Sequence, residues 1–292
     1  MSFIDFARTH GVEIDPNRLF ASDKIKRCGT VDKPRSDNGA YFWDGRRGWV
    51  QNWADGSSVT WYQDGNAKPW TDEEKRAWGA KKRSAEDSQE HRYQMTAQKA
   101  DMILRSAKME KHNYLHMKGF PEMKGLVLDG KLLIPMRNVV TNILQGFQEI
   151  WWDPELRKYH KKMLAGMRAK NAVLWMGAKD APEIWLVEGY ATGLSLHHAL
   201  RSTGSVASVV VCFSASNLVQ VAPQIKGNRF VFADNDESKT GENSAVATGL
   251  PWTMADEVGM DANDLHTRKS LWMVVQKIME CRKGVLTRHE TC

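Results

Sequence analysis

Ile184-Trp-Leu-Val-Glu-Gly-Tyr-Ala-Thr-Gly-Leu-Ser-Leu196 is the stretch on which the fold turns. Four apolar residues stop abruptly at a carboxylate, Glu188, and a Glu-Gly turn leads into helical character from Thr192 to Arg201. A second run, Phe230-Val-Phe-Ala-Asp-Asn-Asp236, ends the same way in Asp234 and Asp236. Strands covered by helices on both faces read as unbroken apolar runs, and ligands of such sheets gather at the strands' carboxyl ends. Three acidic side chains delivered there collect hard divalent cations and bring them to phosphate. Gly189 allows close approach of backbone to phosphate. Asp234 and Asp236 flank one residue, so an extended chain points both the same way. Either motif alone is more simply structural, since Asp-Asn-Asp makes good turns. Their joint placement after two apolar strands favours a metal site.

Outward from this stretch, the rhythm is that of an α/β unit with a mostly parallel, Rossmann-like sheet. Ile184–Val187, Ser208–Phe213 and Arg229–Ala233 read as strands, and Ser216–Gln224 as a short helix. Asn243 is expected to cap a helix running to about Thr248. Upstream, residues 125–135 read as a hairpin about Asp129-Gly130, and residues 142–151 as another strand. A basic cluster follows: Arg157, Lys158, His160, Lys161, Lys162, Arg168 and Lys170. The net charge of +6 and pI near 9.0 favour polyanionic partners, and the clustering strengthens that inference.

Residues 1–70 have a different character. Tyr41, Trp43, Trp49, Trp53, Trp61 and Tyr62 are punctuated by Asp44-Gly45, Asp55-Gly56 and Asp64-Gly65, the pattern of a small antiparallel β module. Arg46, Arg47, Lys24, Lys26 and Arg27 interleave with these rings, a composition that suits stacking on single-stranded bases. The plainer expectation is that most of the tryptophans fill a small core. Residues 71–112 form a charged connector of one or two helices, opened by a capping box at Thr71-Asp-Glu-Glu74. Lys81-Lys82-Arg83 within it reads as a solvated face. The expected organisation is therefore an α+β chain. It has a β module (1–70), a connector (71–112), a basic α+β subdomain (113–178) and the α/β domain with a C-terminal helix (179–292).

At 292 residues with 42% hydrophobic and 26% charged residues, the chain has the composition of a soluble globular protein. No apolar run reaches membrane-spanning length, and the N-terminus lacks a signal-peptide layout, so a cytoplasmic protein without a membrane partner is expected. The four cysteines are scattered without a Cys-x-x-Cys pair, so neither a disulfide framework nor a structural zinc site is expected. Cys212, in an apolar run, reads as a buried thiol.

Three blocks, Glu188–Leu196, Asp234-Asn-Asp236 and Gly259-Met-Asp-Ala-Asn-Asp-Leu265, together resemble the TOPRIM domain of phage- and plasmid-encoded DNA primases. Upstream, Asn113-Tyr-Leu-His-Met-Lys-Gly119, Leu132-Leu-Ile-Pro135 and Gln148-Glu-Ile150, with the basic cluster through Leu164-Ala-Gly166, resemble the first half of the primase core. The resemblance covers about residues 113–270. It implies synthesis of RNA primers on single-stranded DNA from ribonucleoside triphosphates during phage or plasmid replication, in the cytoplasm of a bacterial host. It further implies Glu188 as catalytic glutamate (metal ligand or base), and Asp234 and Asp236 as the metal-binding pair. Asp264 would be a further acid near two Mg²⁺ or Mn²⁺ ions, with Asp261 as the alternative. Lys118, Arg137, Lys158, Lys161 and Lys162 are candidates for nucleotide or template contacts.

Two departures from the pattern matter. Thr192 stands where related enzymes carry aspartate, so it is left out of the metal set. The zinc ribbon of cellular primases has no counterpart among these cysteines. No Gly-x-x-x-x-Gly-Lys-Ser/Thr occurs, so a helicase partner would be a separate chain, and Ser238-Lys-Thr-Gly241 reads as a polar loop. Two other functions fit parts of the pattern: a metal-dependent nuclease, and a catalytically silent single-strand-binding replisome adaptor.

Overall fold

The computed structural model describes residues 1–22, 24–53, 58–63 and 71–289. For residues 74, 75, 78, 81, 82, 85 and 285–289 only the backbone is described. The chain separates into two compact units, Met1–Arg83 and Ser84–Cys292.

The first unit begins with a helix that the sequence reading did not anticipate, α1 (Phe3–Thr9). The Ser2 hydroxyl accepts the Asp5 amide at 3.2 Å while the Asp5 carboxylate accepts the Ser2 amide at 3.2 Å, a reciprocal cap. Strands β1 (Val12–Glu13), β2 (Lys26–Thr30), β3 (Gly39–Trp43), β4 (Arg47–Asn52) and β5 (Thr60–Gln63) follow as an antiparallel sheet in that order. The Asp44-Gly45 turn forms as expected: Gly45 sits at φ +100° and the Asp44 carboxylate accepts the Arg46 and Arg47 amides at 2.8 and 2.6 Å. The turns expected at Asp55-Gly56 and Asp64-Gly65 lie outside the described residues.

The core of this unit is Phe3, Ala7, Val12, Ile14, Tyr41 and Val50. Expectation and structure differ over the tryptophans. Trp53 and Trp61 are 51% and 60% exposed, and Trp43 and Trp49 only partly buried. Helix α1 supplies Phe3 and Ala7 to the inner face, and of these indoles Trp43 joins them there, stacked on Phe3 with centroids 4.5 Å apart.

The connector is one continuous helix, α2 (Asp72–Ser106), and the division between the units falls inside it. The Glu74 side chain of the expected capping box, and those of Lys81 and Lys82, lie outside the described set. Residues Lys108–Lys111, expected to finish a helix, instead form β6 and pair antiparallel with β7 (Lys124–Leu128). Between them lies the short α3 (Asn113–Met117), capped by the His112 ring. The hairpin from β7 into β8 (Lys131–Asn138) turns at Asp129 (φ +49°) and Gly130 (φ +73°), the paired positive angles of a type I′ turn. Then come β9 (Leu144–Asp153), β10 (Lys158–Met163) and β11 (Ala172–Met176).

The remainder alternates: β12 (Glu183–Val187), α4 (Tyr190–Ser202), β13 (Ala207–Val211), α5 (Ala215–Val221), β14 (Asn228–Ala233), α6 (Thr240–Thr248), β15 (Trp252–Met254), α7 (Ala262–Asp264) and α8 (Leu271–His289). Helix α6 starts three residues before the expected cap at Asn243. The Asp236 carboxylate accepts the Thr240 and Gly241 amides at 3.1 and 2.9 Å and so sets an earlier start.

All ten strands of this unit belong to one sheet. Its order is β10-β9-β8-β11-β13-β12-β14-β15, with β7 also on β8 and β6 on β7. The neighbours β13-β12-β14-β15 run parallel, and every other pair is antiparallel. The mixed α/β class is thus as expected, but parallel pairing is confined to four of the ten strands. Antiparallel β11 fuses the two halves into a continuous sheet.

In the parallel part, successive side chains enter opposite cores, as a two-residue period requires. Trp185, Val187, Val209, Val211, Phe230 and Phe232 join the cluster packed with α4 and α8. Ile184, Leu186, Val210, Val231 and Ala233 join the cluster that includes Leu218 and Val221 of α5 and Ala245 of α6. Cys212 is fully buried in the latter, as its surroundings in the sequence implied. Among the described residues no helix is long and apolar enough to cross a membrane.

Candidate acidic site at the strand switch

The chain leaves β12 through α4 to reach β13 on one side, and leaves β14 through α6 to reach β15 on the other. Connections therefore depart in opposite directions from the adjacent strands β12 and β14, which opens a crevice at their carboxyl ends. Glu188 is the first residue after β12, and Asp234 the first after β14. The segment carrying Met260 is drawn into the same place by a bridge to Asn235, whose amide donates to the Met260 carbonyl at 3.1 Å. Lys118, Gln148, Lys161, Glu188, Gly189, Tyr190, Thr192, Phe213, Asp234 and Asp261 line a cavity of about 170 Å³ at this point.

Gly241 explains how β14 and α6 can crowd so tightly around one acid. A Cβ there would stand 2.1 Å from the Asp234 carbonyl oxygen, a contact that no other residue could relieve without moving backbone.

The acids are not equivalent. Asp234 Oδ1 is buried without a hydrogen-bond partner, the one carboxylate oxygen in that condition among the described residues. Burial, reinforced by the neighbouring Asp261 and Glu188 carboxylates and opposed by Lys161, pushes its carboxyl up to about 7. Burial also raises Glu188, with Asp236 adding to the effect and Lys161 opposing it. Asp236 is shifted the other way. Hydrogen bonds from the Ser238 hydroxyl and then the Gly241 amide hold it below the usual carboxylate range. Its carboxylate caps the start of α6.

Asp264 and Asp261 lie differently with respect to the cavity. Asp264 accepts the Asp261 amide at 3.3 Å, pairs with Arg268 at 3.2 Å and is absent from the cavity lining. Asp261, the alternative, lines the cavity and accepts the Thr192 hydroxyl at 3.0 Å. Thr192, set aside as a ligand, thus acts by holding an acid.

The basic candidates divide by strand parity. Directly opposed residues of β9 and β10 share a face, giving Gln148 with Met163, Ile150 with Lys161, and Trp152 with Tyr159. Lys161 is on that face and borders the cavity, whereas Lys158 and Lys162 pair with Asp153 and Glu149 on the opposite face. Lys118 lines the cavity. The Arg137 guanidinium instead donates to the Asn142 carbonyl at 3.2 Å and stays outside the lining.

Asn263 is a residue that sequence reasoning passed over. It is buried, and its amide donates to the Lys118 carbonyl at 2.8 Å and to the Ser195 hydroxyl at 2.9 Å. The Lys118-Gly119 turn is thereby tied to α4 and to the acidic segment. Its signal was visible in the block Gly259–Leu265 only as one amide among acids.

Among the described residues no three His, Cys, Asp or Glu side chains are arranged as a ready-made metal cage. That is compatible with Mg²⁺, which commonly rests on one or two carboxylates and completes its shell with water and substrate phosphate. The residues present fit such an ion. They offer hard oxygen donors, one an orphaned buried carboxylate oxygen that nothing in the chain satisfies. Three larger hollows, about 420 Å³ beside Trp252 and Cys281, about 230 Å³ beside Tyr93 and Arg168, and about 590 Å³ in the first unit, contain no such group.

No protein-family model matches the chain, and comparison with curated proteins gives no match. Among solved structures, the DnaG catalytic core is similar with a TM-score of 0.35 and 13% identity, over 66% of this chain and 72% of that one.

Proposed function

We propose that the chain is a metal-dependent nucleotidyltransferase that makes RNA primers on single-stranded DNA. The observation that carries the metal chemistry is the buried, unpartnered Asp234 carboxylate beside Glu188 and Asp261, at the crevice between β12 and β14. The narrower reading as a primase rests on the ordered sequence blocks from Asn113 to Leu265, with Lys118 and Lys161 lining the same cavity as the acids.

In this reading Asp234 and Glu188 hold Mg²⁺ or Mn²⁺, with Asp261 at the rim. When bound, the ion supplies Lewis-acid neutralisation of phosphate charge and lowers the pKa of an oxygen bound to it. Lys118 and Lys161 bind and orient the triphosphate as point charges. The reaction joins a 3′-oxygen to the α-phosphorus of an incoming ribonucleotide and breaks the α–β phosphoanhydride bond. Pyrophosphate departs and the hydroxyl proton is lost. That proton passes to bulk water, with Glu188 committed to the ion in this reading. Asp236 fixes the loop from which Asp234 projects, and so positions the metal ligand.

The test supplies a library of single-stranded templates, ribonucleotides and Mg²⁺ or Mn²⁺, with and without a replicative helicase. Template-dependent RNA products that disappear in Glu188→Gln and Asp234→Asn are expected. Cleavage of DNA or RNA without added nucleotides, and no primer, would replace this reading with a nuclease.

A further inference from the structure

The cavity face of the β9–β10 hairpin continues beyond Lys161 into a row of rings. Tyr159 and Trp152 are directly opposed across the two strands, with centroids 5.1 Å apart in an edge-to-face arrangement. Tyr114 meets Tyr159 edge-on at 5.2 Å, and the Lys161 ammonium lies 5.7 Å from the Tyr114 ring. Tyr114 is buried and Tyr159 partly buried, so both are locked by packing. Trp152 is different, with 45% of its surface open to solvent near the β9–β10 turn. Tyr159 is two residues from Lys161 along β10, about 7 Å by strand rise. A cation bordering the acidic cavity and a braced, exposed indole therefore share one face.

We propose that Trp152 is a stacking plate for an unpaired base of a single-stranded nucleic acid whose backbone passes Lys161 into the cavity. A rigid aromatic next to cationic side chains is what sequence-tolerant single-strand recognition requires. Charge selects this occupant, because Lys161, Lys118 and the exposed Arg157 on the hairpin turn present positive groups along the path. An apolar protein partner would leave those charges unmatched. This inference rests on the nucleic-acid reading above, but its test needs neither metal nor nucleotide.

The experiment measures binding of the full chain to a fluorescent oligothymidylate in chelator, alongside an abasic strand of equal length and a duplex. Trp152→Ala is expected to weaken oligothymidylate binding about tenfold, with Trp152→Phe close to wild type and little effect on the abasic strand. Thermal melting of both variants checks that the fold is retained. The proposal is overturned if wild type does not bind single strands, if Trp152→Ala binds like wild type, or if abasic and duplex ligands lose as much as the base-bearing strand. Priming that persists while Trp152→Ala binds normally would sink the plate alone. Loss of stacking in a chain that never primes would sink only the catalytic reading.

Discussion

The parallel strands β12 and β14 and the antiparallel strands β9 and β10 serve one cavity in opposite ways. The parallel pair is buried on both faces, so its side chains are committed to two cores and chemistry is delivered only from the strand ends. The antiparallel hairpin delivers from its face, where the two-residue period sends Lys161 and Gln148 to the cavity and Lys158 and Lys162 away from it. A cavity residue of the first kind is placed by the end of an element; one of the second kind is placed by register.

The sharpest way to break this contrast is at the ends. Asp234→Asn is expected to cut primer synthesis at least roughly 100-fold, by removing a ligand of the ion that would neutralise transition-state charge. The same substitution should raise stability, by on the order of a few kcal/mol at pH 8 without metal, since it removes an unpaired buried charge. Activity assays beside chemical denaturation separate the two effects, and a destabilised Asp234→Asn would contradict the site as described.

Gly241→Ala attacks the crowding that places Asp234. A Cβ 2.1 Å from the Asp234 carbonyl forces backbone movement, with an expected loss of about 2–3 kcal/mol in denaturation and a matching loss of activity. On the face of the hairpin, Lys161→Ala should lower kcat/KM about tenfold or more, while Lys162→Ala changes it by less than about threefold. Equal losses for the two lysines would show that register does not assign them.

The same acid imposes a pH dependence. The folded-state Asp234 carboxyl titrates near 7, against 3.8 for an ordinary aspartate. The folded protein therefore holds its proton where the unfolded chain has lost it. The associated stability is fully present below about pH 4 and declines as pH rises through about 7. In chelator, wild type should lose stability across that window relative to Asp234→Asn, as melting curves at stepped pH would record. Parallel curves would count against a buried, unpaired Asp234.

The difference between ends and faces also explains what was legible in the sequence. Glu188 and Asp234 announced themselves because an apolar run stops at each, a local signal that needs no partner strand. Asp236 looked equivalent to Asp234 by spacing, yet its carboxylate is consumed by the amides of α6, which also moved the start of that helix away from Asn243. Asp261 and Asp264 are told apart by contacts the sequence does not show, chiefly that of Asp261 with Thr192, 69 residues away. The lysines of β10 were indistinguishable until pairing with β9 fixed their parity. Helix α1 escaped notice because its cap relies on Asp5, a shorter partner than the Glu or Gln of the usual box.

The most direct test of the central claim is anomalous scattering from crystals soaked in Mn²⁺ with a ribonucleoside triphosphate. The account predicts a manganese peak bound by the Glu188 and Asp234 carboxylates, with phosphate oxygens completing its shell and Lys118 or Lys161 against the triphosphate. A peak held instead by Asp236 or Asp264, or no peak in the crevice between β12 and β14, would contradict it.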